Sequence, residues 1–220
     1  MPTSKSVPPV HLPFDESFRA TFRDLVLWRR DVRRFRTDPI DEKLLPDLIE
    51  LATHAPSVGF SQPWRFVKVQ STERRRAVWE SFAKANERAL GGYEGEQGAA
   101  YMGLKLAGLK EAPIHLAIFC DESTVTGSGL GRQTMPETLR YSVVAAIQTM
   151  WLAARAEGLG MGWVSIFDPV EVTRALDVPE EWRLIAYLDI GWPAEEHIDP
   201  ELERHHWETR HYTGDLVFSR

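Results

Sequence analysis

Five arginines fall within eight residues at Arg29-Arg30-Asp31-Val32-Arg33-Arg34-Phe35-Arg36, in a 220-residue chain whose formal net charge is -6. Guanidinium forks match phosphate or carboxylate oxygens in pairs, so a local excess of them in an acidic protein points to an anionic ligand. Asp31 is the odd member, because a carboxylate beside a phosphate repels it. It must either neutralise an arginine or face another part of the ligand. A solvated basic helix end, with Asp31 in surface ion pairs, accounts for the same residues equally well. Two other stretches carry candidate groups. His54-Ala55-Pro56-Ser57-Val58-Gly59-Phe60-Ser61-Gln62-Pro63-Trp64 is a shaped loop offering Ser57, Ser61 and Gln62 to a ligand, unless those groups satisfy their own backbone. Gly160-Met161-Gly162-Trp163-Val164-Ser165-Ile166-Phe167 reads as a strand entered through glycines. Alternation puts Trp163, Ser165 and Phe167 on one face, leaving Ser165 a lone hydroxyl between two aromatics.

The elements that must position these groups follow from periodicity. Phe18, Phe22, Leu25 and Arg29 recur at helical spacing, giving an amphipathic helix over 15–30. Arg29, Arg30 and Arg33 then converge at one helix end if the turn continues to Arg33. Asp41 caps a helix running to about Thr53, and a strand spans Arg65–Gln70. A helix over 72–89 leads into Leu90-Gly91-Gly92-Tyr93-Glu94-Gly95-Glu96-Gln97-Gly98. Four glycines in nine residues read as the hinges of a lid or as a loose surface connection. A short helical stretch to Lys110 and a strand Ile114–Cys120 follow. The helix over 137–157 is apolar on most faces, which places it in the core or at a subunit interface, and Gly158 ends it. A helix over about 169–176 and a strand Leu184–Ile190 complete the pattern. The tail contains Trp207, Arg210 and Asp215-Leu216-Val217-Phe218, an apolar ending suited to docking.

Composition excludes several classes. The acidic balance argues against a nucleic-acid surface. One cysteine, Cys120, rules out an internal disulfide, and no metal-ligand spacing is present. The proline-bearing residues 1–14 read as an extended tail and not a signal peptide. No apolar run is long enough to span a bilayer, so the expected compartment is the cytoplasm. No Gly-x-Gly-x-x-Gly follows a strand, which leaves a nicotinamide-binding Rossmann unit unsupported.

Four separated stretches agree on a family. Arg-Arg-Asp-Val-Arg-Arg-Phe, Ala55-Pro56-Ser57 with Gln62-Pro63-Trp64, Ala153-Ala154-Arg155-Ala156-Glu157-Gly158-Leu159-Gly160 and Gly162-Trp163-Val164-Ser165-Ile166-Phe167 resemble the FMN-dependent nitroreductase superfamily. Within it they look like the BluB branch, the aerobic 5,6-dimethylbenzimidazole synthases, which carry aspartate where ordinary members commonly have serine. The resemblance implies an α+β fold, with a mixed sheet flanked by helices and an extended C-terminal tail. It implies one domain over 15–220, a lid over 88–108 and a homodimer with FMN at the interface. By the same resemblance Arg29, Arg30, Arg33 and Arg210 hold the FMN phosphate. Val32, Ser57, Gln62, Trp163, Val164 and Ser165 contact the flavin, and Asp31 and Ser165 serve the chemistry. FMN enters reduced, from a separate flavin reductase. Dioxygen then fragments it to 5,6-dimethylbenzimidazole, the lower ligand of vitamin B12, and erythrose 4-phosphate. Two other readings stand beside this one: an NAD(P)H-dependent nitroreductase or flavin reductase that recycles FMN, and a non-catalytic flavin-binding protein.

Overall fold

The apolar run Ile114–Asp121 forms β2, the strand on which the other elements pack. Leu116, Ile118 and Cys120 point to one side of the sheet, and Ala117 and Phe119 to the other. All five are fully buried, which is why the run shows no polar alternation. The computed structural model describes residues 14–211 and 213–219. The expected tail, residues 1–14, lies outside them except for Phe14.

In chain order the elements are α1 (Glu16–Trp28), α2 (Leu44–Ala52), β1 (Trp64–Lys68), α3 (Thr72–Leu90), α4 (Gly95–Gly103), β2, α5 (Thr138–Ala156), β3 (Gly160–Val164), α6 (Pro169–Leu176), β4 (Trp182–Gly191) and α7 (Glu201–Arg204). The sheet order is β1-β2-β4-β3, and every neighbouring pair is antiparallel. The parallel component of the expected mixed sheet is a single bridge, Asp31 to Met161, at the β3 edge. Leu45 and Leu48 of α2 and Val143, Ile147 and Met150 of α5 cover one face. Val78 of α3 and Val172 and Leu176 of α6 cover the other. This is an α+β sandwich of three layers.

Asp41 does not cap α2: the N-cap is Lys43, and the Asp41 carboxylate accepts from Lys43 N–H at 2.9 Å in the turn before the helix. Two further expectations about local structure fail, both next to the arginine run. The helical turn stops at Trp28 and does not reach Arg33. Arg29 already has extended backbone, with φ -71 and ψ 111, and the run continues extended along the start of β3. There Val32 N–H donates to Met161 O at 2.9 Å. Gly160 and Gly162 permit this crossing. A Cβ on Gly162 would sit 2.2 Å from Val32 O, and one on Gly160 would sit 2.7 Å from Val32 Cγ2. The glycines therefore exist for the arginine segment, not for the strand.

The second failure is the strand to Phe167. β3 ends at Val164, so Ser165 does not stand between Trp163 and Phe167 on one strand face. The chain must turn here to enter α6. Phe167 N–H donates to Ser165 O, and Asp168 N–H to Ser81 Oγ. The Asp168 carboxylate then caps Val170 and Glu171. Ser165 is exposed at this turn.

The long apolar helix is buried on one side only. α5 buries Leu139, Val143, Ile147 and Met150 but leaves Tyr141 56% and Val144 41% exposed. α1 lies against α5 and has no buried residue at all, with Phe18, Phe22 and Trp28 open to solvent. The segment after α3 is ordered structure. Gly91 and Gly92 turn the chain, and Gly98 and Tyr101 of α4 are buried.

Candidate active site

Asp31 is the point where the arginine segment is fastened to β3. Its Oδ1 accepts from Trp163 N–H at 2.9 Å, and its Oδ2 accepts from Arg33 Nε at 2.8 Å. A third of the side chain stays exposed, so one side of the carboxylate is open. Asp31 thus does both things its chemistry allowed: it neutralises Arg33 and it faces outward beside a tryptophan. Val32 clamps the crossing. Arg33 reaches on to Lys105 O at 3.4 Å.

Arg29, Arg30 and Arg210 form a separate cluster. Burial pulls Arg30 below the usual arginine range, and the charges of Arg29 and Arg210 lower it further, while Asp199 and Glu203 oppose them. Arg29 stacks over the Trp151 ring at 5.0 Å, and Trp151 lies 6.4 Å from Trp163 between ring centroids. Among the described residues none of these three guanidiniums is ion-paired with a carboxylate. Three guanidiniums gathered without a direct ion pair, with Asp199 and Glu203 opposing them only in part, fit a phosphate dianion, and the indole pair fits the flat ring beside it. The residues present therefore suit FMN. Arg33 belongs to the carboxylate and not to this cluster.

Val164 has its side chain in the core, so only its backbone faces the site. Ser165 presents a hydroxyl just past the strand end. Ser57 and Gln62 lie elsewhere on the chain. The Ser57 hydroxyl accepts from Gln62 N–H at 3.2 Å, and the neighbouring Val58 N–H donates to Ser142 Oγ at 3.0 Å. Arg29 sits on Trp151 of the same helix. Between residues 142 and 151, at 1.5 Å per residue, lies roughly 13 Å. A cavity of about 780 Å³ between α6 and β4 contains none of these groups.

One buried polar group escaped the sequence reading. Asp189, near the end of β4, is fully buried and pairs across the sheet with Gly162. Its Oδ2 accepts from Gly108 N–H at 2.9 Å, and its Oδ1 lacks a hydrogen-bond partner among the described residues. His115 Nδ1 is 3.9 Å from that oxygen and 2.9 Å from Tyr187 OH. Burial, with Asp31 and Glu111 adding to it, pushes the Asp189 carboxyl up to about 8. Burial and Arg75 push His115 down to about 4. A lone aspartate in the apolar run Leu184–Ile190 was the available signal.

These shifts set a pH dependence of stability. From 3.8 to about 8 the fold keeps a proton on Asp189 that the unfolded chain has lost, so stability falls as pH rises. From about 4 to 6.5 His115 acts in the opposite sense, because the unfolded chain holds the extra proton. Above 6.5 Asp189 is left alone. The midpoint of thermal unfolding is therefore expected to fall between pH 6.5 and 8. Asp189→Asn should flatten that decline while keeping an acceptor for Gly108. An unchanged slope in the variant would assign the decline to another group.

With the geometry in hand, the nitroreductase family model matches residues 26–192. The chain belongs to the nitroreductase family. It is 58% identical over 197 residues to the 5,6-dimethylbenzimidazole synthase of Rhodospirillum rubrum, covering 90% of this chain and 93% of that protein. It is 45% identical over 195 residues to the enzyme of the same name from Rhodobacter capsulatus, covering 89% and 94%. Among solved nitroreductase-like structures, oxidized iodotyrosine deiodinase bound to FMN and 3-iodo-L-tyrosine superposes with a TM-score of 0.67. That match has 25% identity and covers 80% of this chain and 91% of that one. Family membership is consistent with a flavin at the guanidinium and indole residues. No helix among the described residues is long and apolar enough to cross a membrane.

Proposed function

We propose that this protein is a 5,6-dimethylbenzimidazole synthase, with reduced FMN as its substrate and dioxygen as co-substrate. The observation that carries the reading is the Asp31 carboxylate, fixed between Trp163 N–H and Arg33 within two residues of the unpaired arginine cluster. Relatives of that name at 58% and 45% identity support it. Reduced FMN, when bound, supplies the electrons for dioxygen and the carbon atoms of both products, 5,6-dimethylbenzimidazole and erythrose 4-phosphate.

The chain's own residues have distinct roles. Arg29, Arg30 and Arg210 hold the phosphate. Trp163 and the Val164 backbone flank the ring, and the exposed Ser165 hydroxyl bonds the reacting region. Asp31 exchanges a proton with the ring or ribityl chain, and Arg33 keeps the carboxylate aimed. The segment 88–108 is a lid within one domain over 15–220, and a closed lid keeps water from the reacting flavin.

The site is completed by a second copy. One chain leaves the arginine cluster open, anchors the Ser57 loop at Ser142, about two and a half turns of α5 from the Trp151 that Arg29 covers, and uncovers the apolar residues of α1. A homodimer covers that face and brings the partner's loop to the flavin. A separate flavin reductase supplies reduced FMN.

The test is direct. Reduced FMN is mixed with the protein without oxygen, air is admitted, and products are identified by mass spectrometry. The expected result is 5,6-dimethylbenzimidazole at the expense of FMN. Quantitative return of intact FMN would sink the proposal and leave a flavin-recycling or flavin-binding protein.

A further inference from the structure

Trp207 stands in the tail, outside the residues used so far, yet it touches the segment 93–101. Its ring meets Tyr93 edge-on with centroids 5.3 Å apart, and Tyr101 lies 6.1 Å away. Tyr93 and Tyr101 stack on each other at 4.9 Å. Tyr101 is buried and donates its hydroxyl to Asn86 Oδ1 at 2.8 Å, so the cluster has a fixed base on α3.

The backbone around Trp207 is built to aim it. His206 has φ 56, a left-handed conformation that a non-glycine residue adopts at a cost. Trp207 N–H donates to Leu202 O at 2.8 Å, which folds the chain back over α7. Three residues on, Arg210 joins Arg29 and Arg30, with its backbone N–H on Glu203 Oε1 at 3.5 Å.

The other end of the segment is fastened to the same arginine run. Lys105 O accepts from Arg33, the ion partner of Asp31. Between these two attachments the helix α4 is bracketed by glycines in open space. A Cβ on Gly95, at φ +59, or on Gly103 would have no atom within 4 Å. The segment is tied to the arginine-bearing stretches at two points, through Lys105 O and through Trp207, and its bounding glycines leave open space around them.

We propose that Trp207 is a positioning residue that couples the two ends of the site. By stacking on Tyr93 it ties the α4 segment to Arg210, so that a phosphate monoester on the arginine cluster closes the segment over the ring. The proposal rests on the reading of Arg29, Arg30 and Arg210 as the phosphate site. It makes the phosphate of FMN a signal for closure as well as a handle for binding.

The experiment compares FMN with riboflavin, which shares the ring and lacks the phosphate, on the full-length protein. Tryptic cleavage at Arg88 and Lys105, which flank the segment, reports closure. In the wild type FMN should slow that cleavage far more than riboflavin does at equal occupancy. Trp207→Ala should abolish the difference and cut the FMN-to-riboflavin affinity ratio by roughly two- to tenfold, the range of one aromatic contact. Trp207→Phe should restore both. Tyr93→Leu, which breaks the contact from the other side, should reproduce the loss. Once Arg210→Ala has removed its share of the ratio, adding Trp207→Ala should remove no more. A Trp207→Ala protein with wild-type discrimination and FMN-dependent protection overturns the coupling, as does simple additivity. If Arg29→Ala and Arg210→Ala both leave the affinity ratio unchanged, the phosphate reading falls and the coupling with it.

Discussion

Asp31→Asn is expected to bind reduced FMN at least as tightly as the wild type, while forming 5,6-dimethylbenzimidazole about 100- to 10,000-fold more slowly, the usual cost of removing a placed acid or base. The binding half of this follows from charge. The substitution removes one negative charge beside guanidiniums that hold a dianion, so the phosphate gains. The chemical half follows from geometry. The carboxylate accepts from Trp163 N–H with one oxygen and from Arg33 with the other. An amide has a single oxygen. It will be turned toward Trp163 N–H, because that donor is fixed in β3, and its NH2 group will face Arg33. Arg33 has a second acceptor in Lys105 O and can retreat to it. The fold at the crossing is kept and the proton-exchanging group is lost. Reduced flavin should then return to oxidised FMN with release of peroxide. The measurement is product yield against FMN recovered after air is admitted, with binding of reduced FMN measured separately. A full yield of product would remove Asp31 from the mechanism, and a loss of binding equal to the loss of rate would make it a structural residue.

Much of this arrangement could be read in the sequence, and the parts that could not share a cause. β2 and α5 were legible because their apolar runs are long and their burial is decided by the run itself. The chemical groups were legible by type: guanidiniums in excess, a carboxylate among them, a serine after a tryptophan strand. What misled was the end of each element. Local periodicity carried α1 on to residue 30, with Arg33 joining only if the turn continued, and β3 on to Phe167. In the fold, α1 stops at Trp28 because the next residues bond to the β3 backbone, and β3 stops at Val164 because Asp168 must cap α6. The first decision is made by a partner distant in sequence, the second by a helix cap that the strand periodicity does not register. Gly160 and Gly162 were visible as strand glycines, but their use, to let Val32 come within contact, requires the crossing to be known. Ser57 shows the complementary limit. Its hydroxyl satisfies Gln62 N–H within the loop, the plainer of its two readings. On a single chain it is remote from the arginines, so any part it has at the flavin comes through a second copy. Asp189 and His115 were overlooked because apolar strands were read for periodicity and not for the polar residues inside them.

The three arginines read from the sequence as equivalent should part company when tested one at a time. Arg29→Ala and Arg30→Ala are each expected to weaken FMN binding by ~1.5–3 kcal/mol, the worth of a charge-assisted contact, or roughly 10- to 150-fold in Kd. Riboflavin binding should change little for Arg30→Ala. It should change somewhat for Arg29→Ala, because Arg29 also covers the Trp151 ring behind Trp163. Arg33→Ala should behave differently from both. Its guanidinium is committed to Asp31 and Lys105 O, so its removal takes little from the phosphate. It leaves the Asp31 carboxylate with Trp163 N–H as its remaining hydrogen-bond donor. Without Arg33 the carboxylate is held through one oxygen only, which loosens its aim. Arg33→Ala should therefore keep the FMN-to-riboflavin affinity ratio and lose product yield, the pattern of Asp31→Asn in milder form. The measurement is titration of each variant with both flavins, beside the aerobic product assay. Equal losses of FMN affinity in all three variants would restore Arg33 to the phosphate site and separate Asp31 from its assigned partner.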